Sequence, residues 1–312
     1  PRVAAIQGSV PQFEKNLKGG SLYGVYTTLH REAAAADPQP DLIVWPETCF
    51  TRDWVGVKPG EVPSGEFARL AERAGQDFAA MRPGVPVLLG LNAVEWDAGR
   101  EWKYNSALLL DPLGNKLGRY DKMHLVPFGE YVPFKDTLPW MQTFTPYEND
   151  YSCRPGERWT RFPLTAADGR TFTFGCLICY EDSDPCLARQ YVAAEPVNFL
   201  VNISNDGWFD GTEEHEQHLA ICRFRAVETR RAVVRAVNMG ISGVIDSDGR
   251  VVALPHPDWS ASKKVEGIVS AVVPLDDRDS PYARFGDWVP AACWAVLLVG
   301  VVLSMRARPA GA

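Results

Sequence analysis

Short apolar runs rich in β-branched residues, alternating with helix-like stretches, set the limits on what this chain can form. Val3–Gln7, Leu42–Trp45, Val87–Leu91, Asn105–Leu110, Lys116–Tyr120, Phe172–Ile178 and Phe199–Ile203 read as strands. Ala232–Val237, Gly243–Asp246, Val251–Leu254 and Ile268–Val273 read as late strands. Helical stretches lie between them: Leu17–Ala36, a segment running from a Ser64 cap toward Met81, Pro185–Ala194, and Glu213–Arg230. Asp111-Pro112-Leu113-Gly114-Asn115 predicts a hairpin, and Asp246–Gly249 a turn. Several hairpins among helices predict sheets covered by helices, not a purely parallel nucleotide-binding sheet. Neither GxGxxG nor a P-loop appears.

Three of these runs end on chemically active side chains. Leu42-Ile43-Val44-Trp45-Pro46 ends at Glu47, Gly118-Arg119-Tyr120-Asp121 is followed by Lys122, and Phe172–Ile178 delivers Cys179. A thiol is mostly protonated at neutral pH; a carboxylate can take its proton and an ammonium favours the thiolate. When a thiolate attacks a carbonyl, the same ammonium and the backbone N–H after the cysteine can hold the oxyanion, while the carboxylate returns a proton to the leaving group. No metal or cofactor is needed. Each residue alone has a plainer reading: a solvated glutamate, a surface lysine, a core cysteine. Cys176, in the same run as Cys179, takes that plainer role. The C-x-x-C spacing of the two is not read as a redox pair, because that motif normally opens a helix.

The chain has 312 residues, enough for one large α/β domain or two small ones, and 46% hydrophobic residues can supply a large core. A net charge of −7 and a pI near 5.4 argue against nucleic acid as a partner. The seven scattered cysteines do not form a disulfide framework pattern.

Trp288–Met305 carries no charged residue and is followed by Arg306 and Arg308. Its length suits a transmembrane helix, and the trailing arginines predict a cytoplasmic C-terminal end, with the globular part on the other side. Because Pro1 leads straight into a core-like strand, we expect the chain to be part of a longer protein. The expected division is a catalytic domain over 1–285, then the membrane helix and a short basic cytoplasmic tail over 286–312.

His124–Arg158 shows little periodicity and carries Phe128, Tyr131, Phe134, Trp140, Met141, Phe144 and Tyr147. Its length and aromatics predict a lid or lipid-contacting arm. His215 and His218 are three apart, so they do not form H-E-x-x-H; they read as a helix start near the cleft, with Asn205, Asp206 and Trp208 as its wall. Arg223, Arg225, Arg230 and Arg231 read as a solvated face. Ser204 and Ser242 lack a G-x-S-x-G context.

Val44-Trp45-Pro46-Glu47, Tyr120-Asp121-Lys122-Met123-His124-Leu125 and Gly175-Cys176-Leu177-Ile178-Cys179-Tyr180-Glu181 resemble the three catalytic blocks of the nitrilase (carbon–nitrogen hydrolase) superfamily. Gln7-Gly8-Ser9-Val10-Pro11-Gln12, Leu125–Pro133, Asn202–Trp208 and Arg284–Trp288 narrow the resemblance to the apolipoprotein N-acyltransferase family. The resemblance implies an α/β fold, a four-layer α-β-β-α sandwich followed by the C-terminal transmembrane helix. It implies Glu47 as base, Lys122 as transition-state stabiliser and Cys179 as the acylated nucleophile. Glu130 would support the Lys–Cys site, and Tyr180 and Glu181 would flank the nucleophile and shape the acyl pocket. A phospholipid acyl donor, an apolipoprotein acceptor and a monomer in the bacterial inner membrane, with its catalytic domain periplasmic, are further implications. That family often has a Trp where this chain has Asn16, which puts lipid handling at that loop in question. The family's enzymes also carry transmembrane helices ahead of the catalytic domain. Two other readings are a hydrolase acting on a small amide and a catalytically silent partner-binding module at the membrane.

Overall fold

The computed structural model describes residues 1–17, 20–135, 137–144, 151–210 and 212–307. The strands in chain order are β1 (Arg2–Gln7), β2 (Leu42–Val44), β3 (Trp54–Val57), β4 (Val87–Asp97), β5 (Arg100–Leu110), β6 (Lys116–Asp121), β7 (Phe162–Thr165), β8 (Thr171–Ile178), β9 (Phe199–Asn205), β10 (Val233–Asn238), β11 (Gly243–Ile245), β12 (Val251–Ala253) and β13 (Gly267–Val272). Among the described residues they form two mixed sheets. One has the order β13-β1-β2-β4-β5-β6, with β3 also pairing β4; the other has the order β12-β11-β10-β9-β8-β7. β1, β2 and β4 run parallel, as do β8, β9 and β10.

The period-2 alternation of the strands decides the layering. Val3 and Ala5, Leu42 and Val44, Leu109, and Tyr120 face Phe174, Cys176, Ile178, Val201, Ile203 and Val234 across the gap between the sheets. The alternate residues Ala4, Ile6, Ile43, Trp45, Val87 and Leu89 face outward and are covered by helix. The helices are α1 (Gln12–Asn16), α2 (Gly20–Ala34), α3 (Gly65–Ala79), α4 (Pro185–Ala193), α5 (Glu214–Thr229), α6 (Trp259–Ser262), α7 (Pro281–Phe285) and α8 (Trp288–Ala307). Leu22, Tyr26, Leu29 and Ala33 of α2 and Phe78 of α3 cover the first sheet. Leu187, Ala188 and Tyr191 of α4 and Leu219, Cys222 and Ala226 of α5 cover Leu177, Leu200 and Val233 of the second. The four-layer α-β-β-α sandwich is therefore present. With each fully buried Leu or Ile contributing about 1.5–3 kcal/mol, sheet-on-sheet burial dominates its stability.

Several local expectations are refined. The Ser64 cap forms, its Oγ accepting the Phe67 N–H at 3.2 Å. The predicted β5–β6 hairpin forms. β4 and β5 run much further than their apolar cores suggest and meet at Ala98 and Gly99, both with left-handed φ (52° and 77°), a two-residue hairpin turn. β3, β7, α6 and α7 were not foreseen. The helix expected over Leu17–Ala36 is α2, and a separate short α1 precedes it.

At the far end Ser280 Oγ accepts the Ala283 N–H at 2.8 Å, capping α7. Arg189 of α4 donates to the carbonyls of Tyr282 (3.0 Å) and Arg284 (3.2 Å), holding α7 to the sandwich. α8 then leaves the body. Trp288–Arg306, 19 residues of mean hydropathy 2.1, is long and apolar enough to cross a membrane, and none of it is buried. Arg308 lies outside the described residues.

Candidate active site

The site lies where β2, β6, β8 and β9 end, at one edge of both sheets. A cavity of about 820 Å³ opens there, lined by Glu47, Lys122, Glu130, Cys179 and Tyr180 among others. Sequence reasoning placed these five at one site, and the structure brings them together. Glu181 is different: fully buried, it lies beneath the cavity and not in its wall.

Glu47 follows Pro46 out of β2 in a turn whose next residue, Thr48, has φ 50°. The turn presses against β4 at Gly90, where a Cβ would stand 2.2 Å from the Pro46 carbonyl oxygen and 2.7 Å from Glu47 Cα. Only glycine permits that approach. The Glu47 carboxylate is almost enclosed. Its Oε1 accepts from Asn105 Nδ2 at 2.7 Å and lies 3.3 Å from Lys122 Nζ, while its Oε2 accepts the Asn205 N–H at 3.0 Å. Lys122, 1% exposed, also donates to Glu130 Oε1 at 3.0 Å. Asn105 Nδ2 donates to that oxygen too, at 2.8 Å, and Glu130 Oε2 accepts the Val126 N–H at 2.8 Å. One amide and one ammonium thus bridge two carboxylates. Burial works against the Lys122 charge, but the Glu47 and Glu130 carboxylates outweigh it and hold the ammonium above the usual lysine range. Asn105, at the centre of this arrangement, was read only as a strand residue; nothing in its local pattern marks it.

Cys179 leaves β8 with φ 52°, a left-handed conformation rare for a non-glycine residue and common where a nucleophile is presented on a sharp turn. Cys176, three residues earlier, is fully buried between the sheets. Burial, then the Glu47 carboxylate, push the Cys179 thiol well above the ordinary cysteine range, and Lys122 offsets only part of this. The resting thiol is therefore protonated and needs a base. Glu181 fixes the turn. Its Oε1 accepts from the Tyr120 hydroxyl (2.8 Å) and the N–H groups of Met123 (2.6 Å) and His124 (3.1 Å), and its Oε2 accepts the Ile178 N–H (2.7 Å). Burial pushes its carboxyl up to about 7 against those donors.

Behind Cys179 lies a buried charged network. His218 of α5 bonds Asp182 through Nε2 (2.9 Å) and Asp206 through Nδ1 (3.0 Å), and Arg235 of β10 pairs with both carboxylates (3.1 and 3.0 Å). Burial and the Arg235 charge oppose a proton on His218, but Asp182 and Asp206 lift it to about 10. Asp206, Glu214 and His215 bring one potential ligand atom each within 4.8 Å of one another. The Asp206 oxygens are, however, committed to Ser204, His218 and Arg235, and the two cations beside it disfavour a metal ion. Arg235 was missed in the sequence because it sits inside an apolar strand. Arg225 and Arg231 are not on a solvated face: both are buried and donate to the carbonyls of Asp182 (2.9 Å) and Val197 (2.7 Å).

The segment after Lys122 walls the cavity through Val126, Gly129, Glu130, Tyr151 and Cys153, while Phe134, Trp140 and Phe144 are exposed. Tyr147 lies outside the described residues. On the opposite wall Asn205, Trp208, Gln217 and His218 line the cavity, as expected of the loop after β9 and the start of α5.

A carbon–nitrogen hydrolase family model matches residues 2–280. The chain is 35% identical over 312 residues to a protein of Geobacter metallireducens named apolipoprotein N-acyltransferase, covering 98% of this chain and 54% of that protein. It is 31% identical to apolipoprotein N-acyltransferase 2 of Treponema denticola (95% and 52% covered) and 32% identical to the apolipoprotein N-acyltransferase of Pseudomonas aeruginosa strain LESB58 (99% and 55%). The chain thus spans about half the length of these relatives. Among solved structures, an amidase from Nesterenkonia sp. AN1 aligns at TM-score 0.59 with 17% identity, covering 94% of this chain and 99% of that one. A carbon–nitrogen hydrolase from Helicobacter pylori G27 aligns at TM-score 0.56 with 17% identity, covering 86% and 88%. At these identities the solved structures speak for the fold alone.

Proposed function

Because the chain belongs to the carbon–nitrogen hydrolase family, we propose that it is the catalytic part of an apolipoprotein N-acyltransferase, moving an acyl chain from a phospholipid through a Cys179 thioester to the N-terminal amine of a diacylglyceryl-cysteine apolipoprotein. The observation that carries this reading is that Glu47, Lys122 and Cys179 line one cavity in a chain that also carries an exposed apolar helix, Trp288–Arg306. The names of relatives that match nearly the whole chain at 31–35% identity support it.

In the first half-reaction Glu47 takes the Cys179 proton as sulfur attacks the phospholipid ester carbonyl. The tetrahedral oxyanion is held by the Lys122 ammonium and the Tyr180 N–H, at the turn that Cys179 opens. Collapse breaks the C–O bond, Glu47 gives its proton to the departing lysophospholipid oxygen, and the acyl chain remains as a thioester. In the second half the acceptor amine attacks, Glu47 takes a proton from its nitrogen, and collapse expels the thiolate, which Glu47 reprotonates. Glu130 and Asn105 hold Lys122 and Glu47 in register, and Tyr180, half-exposed in the wall, borders the acyl path. The aromatic arm would shield the thioester from water.

Residues 1–285 would form the catalytic domain on the periplasmic side of a bacterial inner membrane, with 286–312 as anchor and cytoplasmic tail. The test is direct. The full-length protein incubated with phospholipid should carry one acyl group, located by mass spectrometry on Cys179. Absence of that adduct from folded protein, with turnover of small amides instead, would point to an amide hydrolase and overturn the proposal.

A further inference from the structure

Lys15 of α1 is 7% exposed and lines the cavity, yet no carboxylate among the described residues lies within the 4.0 Å that makes an ion pair with it. Buried lysines are rare, and those that occur are paired, because an ammonium removed from water needs a counter-charge. Lys122 shows the usual solution, with Glu47 and Glu130 both in contact. Lys15 instead has neutral partners. Its Nζ donates to the Glu47 carbonyl at 2.9 Å, and the side-chain amide of Asn205 lies 3.2 Å away. Gln12, Asn16 and Trp208, whose Nε1 is also 3.2 Å from that amide, line the same stretch of wall. The Gln12 amide nitrogen donates to Asn16 at 2.8 Å and the Trp208 N–H faces the Asn205 amide, so the feature of this wall that suits an anion is the Lys15 ammonium itself, at the cavity and without a carboxylate partner.

We propose that Lys15, with Gln12, Asn16 and Trp208 around it, binds the phosphodiester of the acyl donor and so selects phospholipid over neutral esters. The inference rests on the acyltransferase reading above. Its geometry is consistent with the chemistry. Lys15 anchors on the main chain of Glu47 and lines the same cavity as Cys179, so one bound molecule carrying both an anion and an ester, as a glycerophospholipid does, can meet both. A lysine supplies such a contact as a point charge. No bond is made or broken at this subsite. Its effect is to position the ester against Cys179.

The experiment compares two acyl donors on the full-length protein in detergent: a phosphatidylethanolamine, and a p-nitrophenyl ester with the same acyl chain. The rate of acyl addition to Cys179 is read by mass spectrometry. In Lys15→Met the loss with phospholipid should exceed the loss with the neutral ester by at least tenfold, mainly through KM. Glycerophosphoethanolamine should slow labelling of the unaltered protein by the neutral ester and have less effect on the variant. Lys15→Gln serves if the methionine variant fails to fold. Equal losses with both donors would mean that Lys15 only props the Glu47 main chain, which overturns the subsite. Competition by inorganic phosphate as strong as by the glycerophosphodiester would overturn a lipid headgroup as the ligand. If the unaltered protein is labelled by the neutral ester but never by phospholipid, the acyltransferase reading itself falls, a result separable from failure of the lysine variant.

Discussion

Glu181 accepts the backbone N–H of Met123 at 2.6 Å, and that bond fastens the turn bearing Cys179 to the segment bearing Lys122. Three further donors converge on the same carboxylate. Each donor left unpaired in a buried site costs about 1–3 kcal/mol. Glu181→Ala should therefore lower the yield of folded protein sharply. Glu181→Gln, which keeps one acceptor oxygen, should fold but lose at least about tenfold in kcat with KM little changed. Urea unfolding and acyl-adduct kinetics on the two variants check this.

Glu47→Gln should reduce the rate of Cys179 acylation by about 10²–10⁴-fold, the range expected on losing a general base. Cys179→Ser should give no thioester at all, whereas Cys176→Ala, in the sheet interface, should still acylate. Intact-protein mass spectrometry separates the three.

Gly90→Ala tests position without touching a reactive group. The new Cβ would overlap the Pro46 carbonyl and Glu47 Cα, so the Glu47 turn must move. A shift of about 1 Å can cost on the order of 10²-fold in rate. Activity should fall by that order while the strand pairing of β4, read by circular dichroism, persists.

His218 gives stability a pH dependence of known sign. Its proton is held to about 10 in the folded protein against an ordinary histidine value of 6.5. Its contribution is complete below pH 6.5 and declines, at up to about 1.4 kcal/mol per pH unit, as pH rises toward 10. His218→Gln should be less stable than the parent at pH 6, with the gap narrowing by pH 9.5. Urea midpoints at the two pH values report it.

Produced with no upstream segment, residues 1–287 should stay out of the membrane fraction that retains residues 1–312, with the sandwich still folded, since none of Trp288–Arg306 is buried against it. Fractionation followed by thermal unfolding of the truncated chain would show both.

β2 and β8 are legible as short apolar runs stopped by a polar residue, and β6, Lys116–Asp121, through the Asp111–Asn115 turn that pairs it with the apolar end of β5. Glu47, Lys122 and Cys179 stood out as the stops. The inner-to-outer alternation in β1, β2 and β8 follows from the strand period alone. What could not be read are contacts made across the chain. Asn105 is 58 residues from Glu47, and Arg235 is 53 from Asp182. The family resemblance implies a place for Glu181 in the acyl pocket, but the 3-10 turn that starts at Cys179 points it inward, beneath the site. β4 and β5 outran their apolar cores because their distal halves pair through polar and aromatic residues such as Glu95, Trp96, Trp102 and Lys103.

Glu47 and Lys122 emerge from one sheet and Cys179 from the other, so the pocket is a seam and not a property of either half. A chain that has formed both sheets but not yet pressed them together has every side chain in place along its own strand and no chemistry. If the proposed reaction holds, reactivity toward lipid would be withheld from nascent or partly opened molecules, and the appearance of an acylated cysteine would serve as a stopwatch for closure of the sandwich.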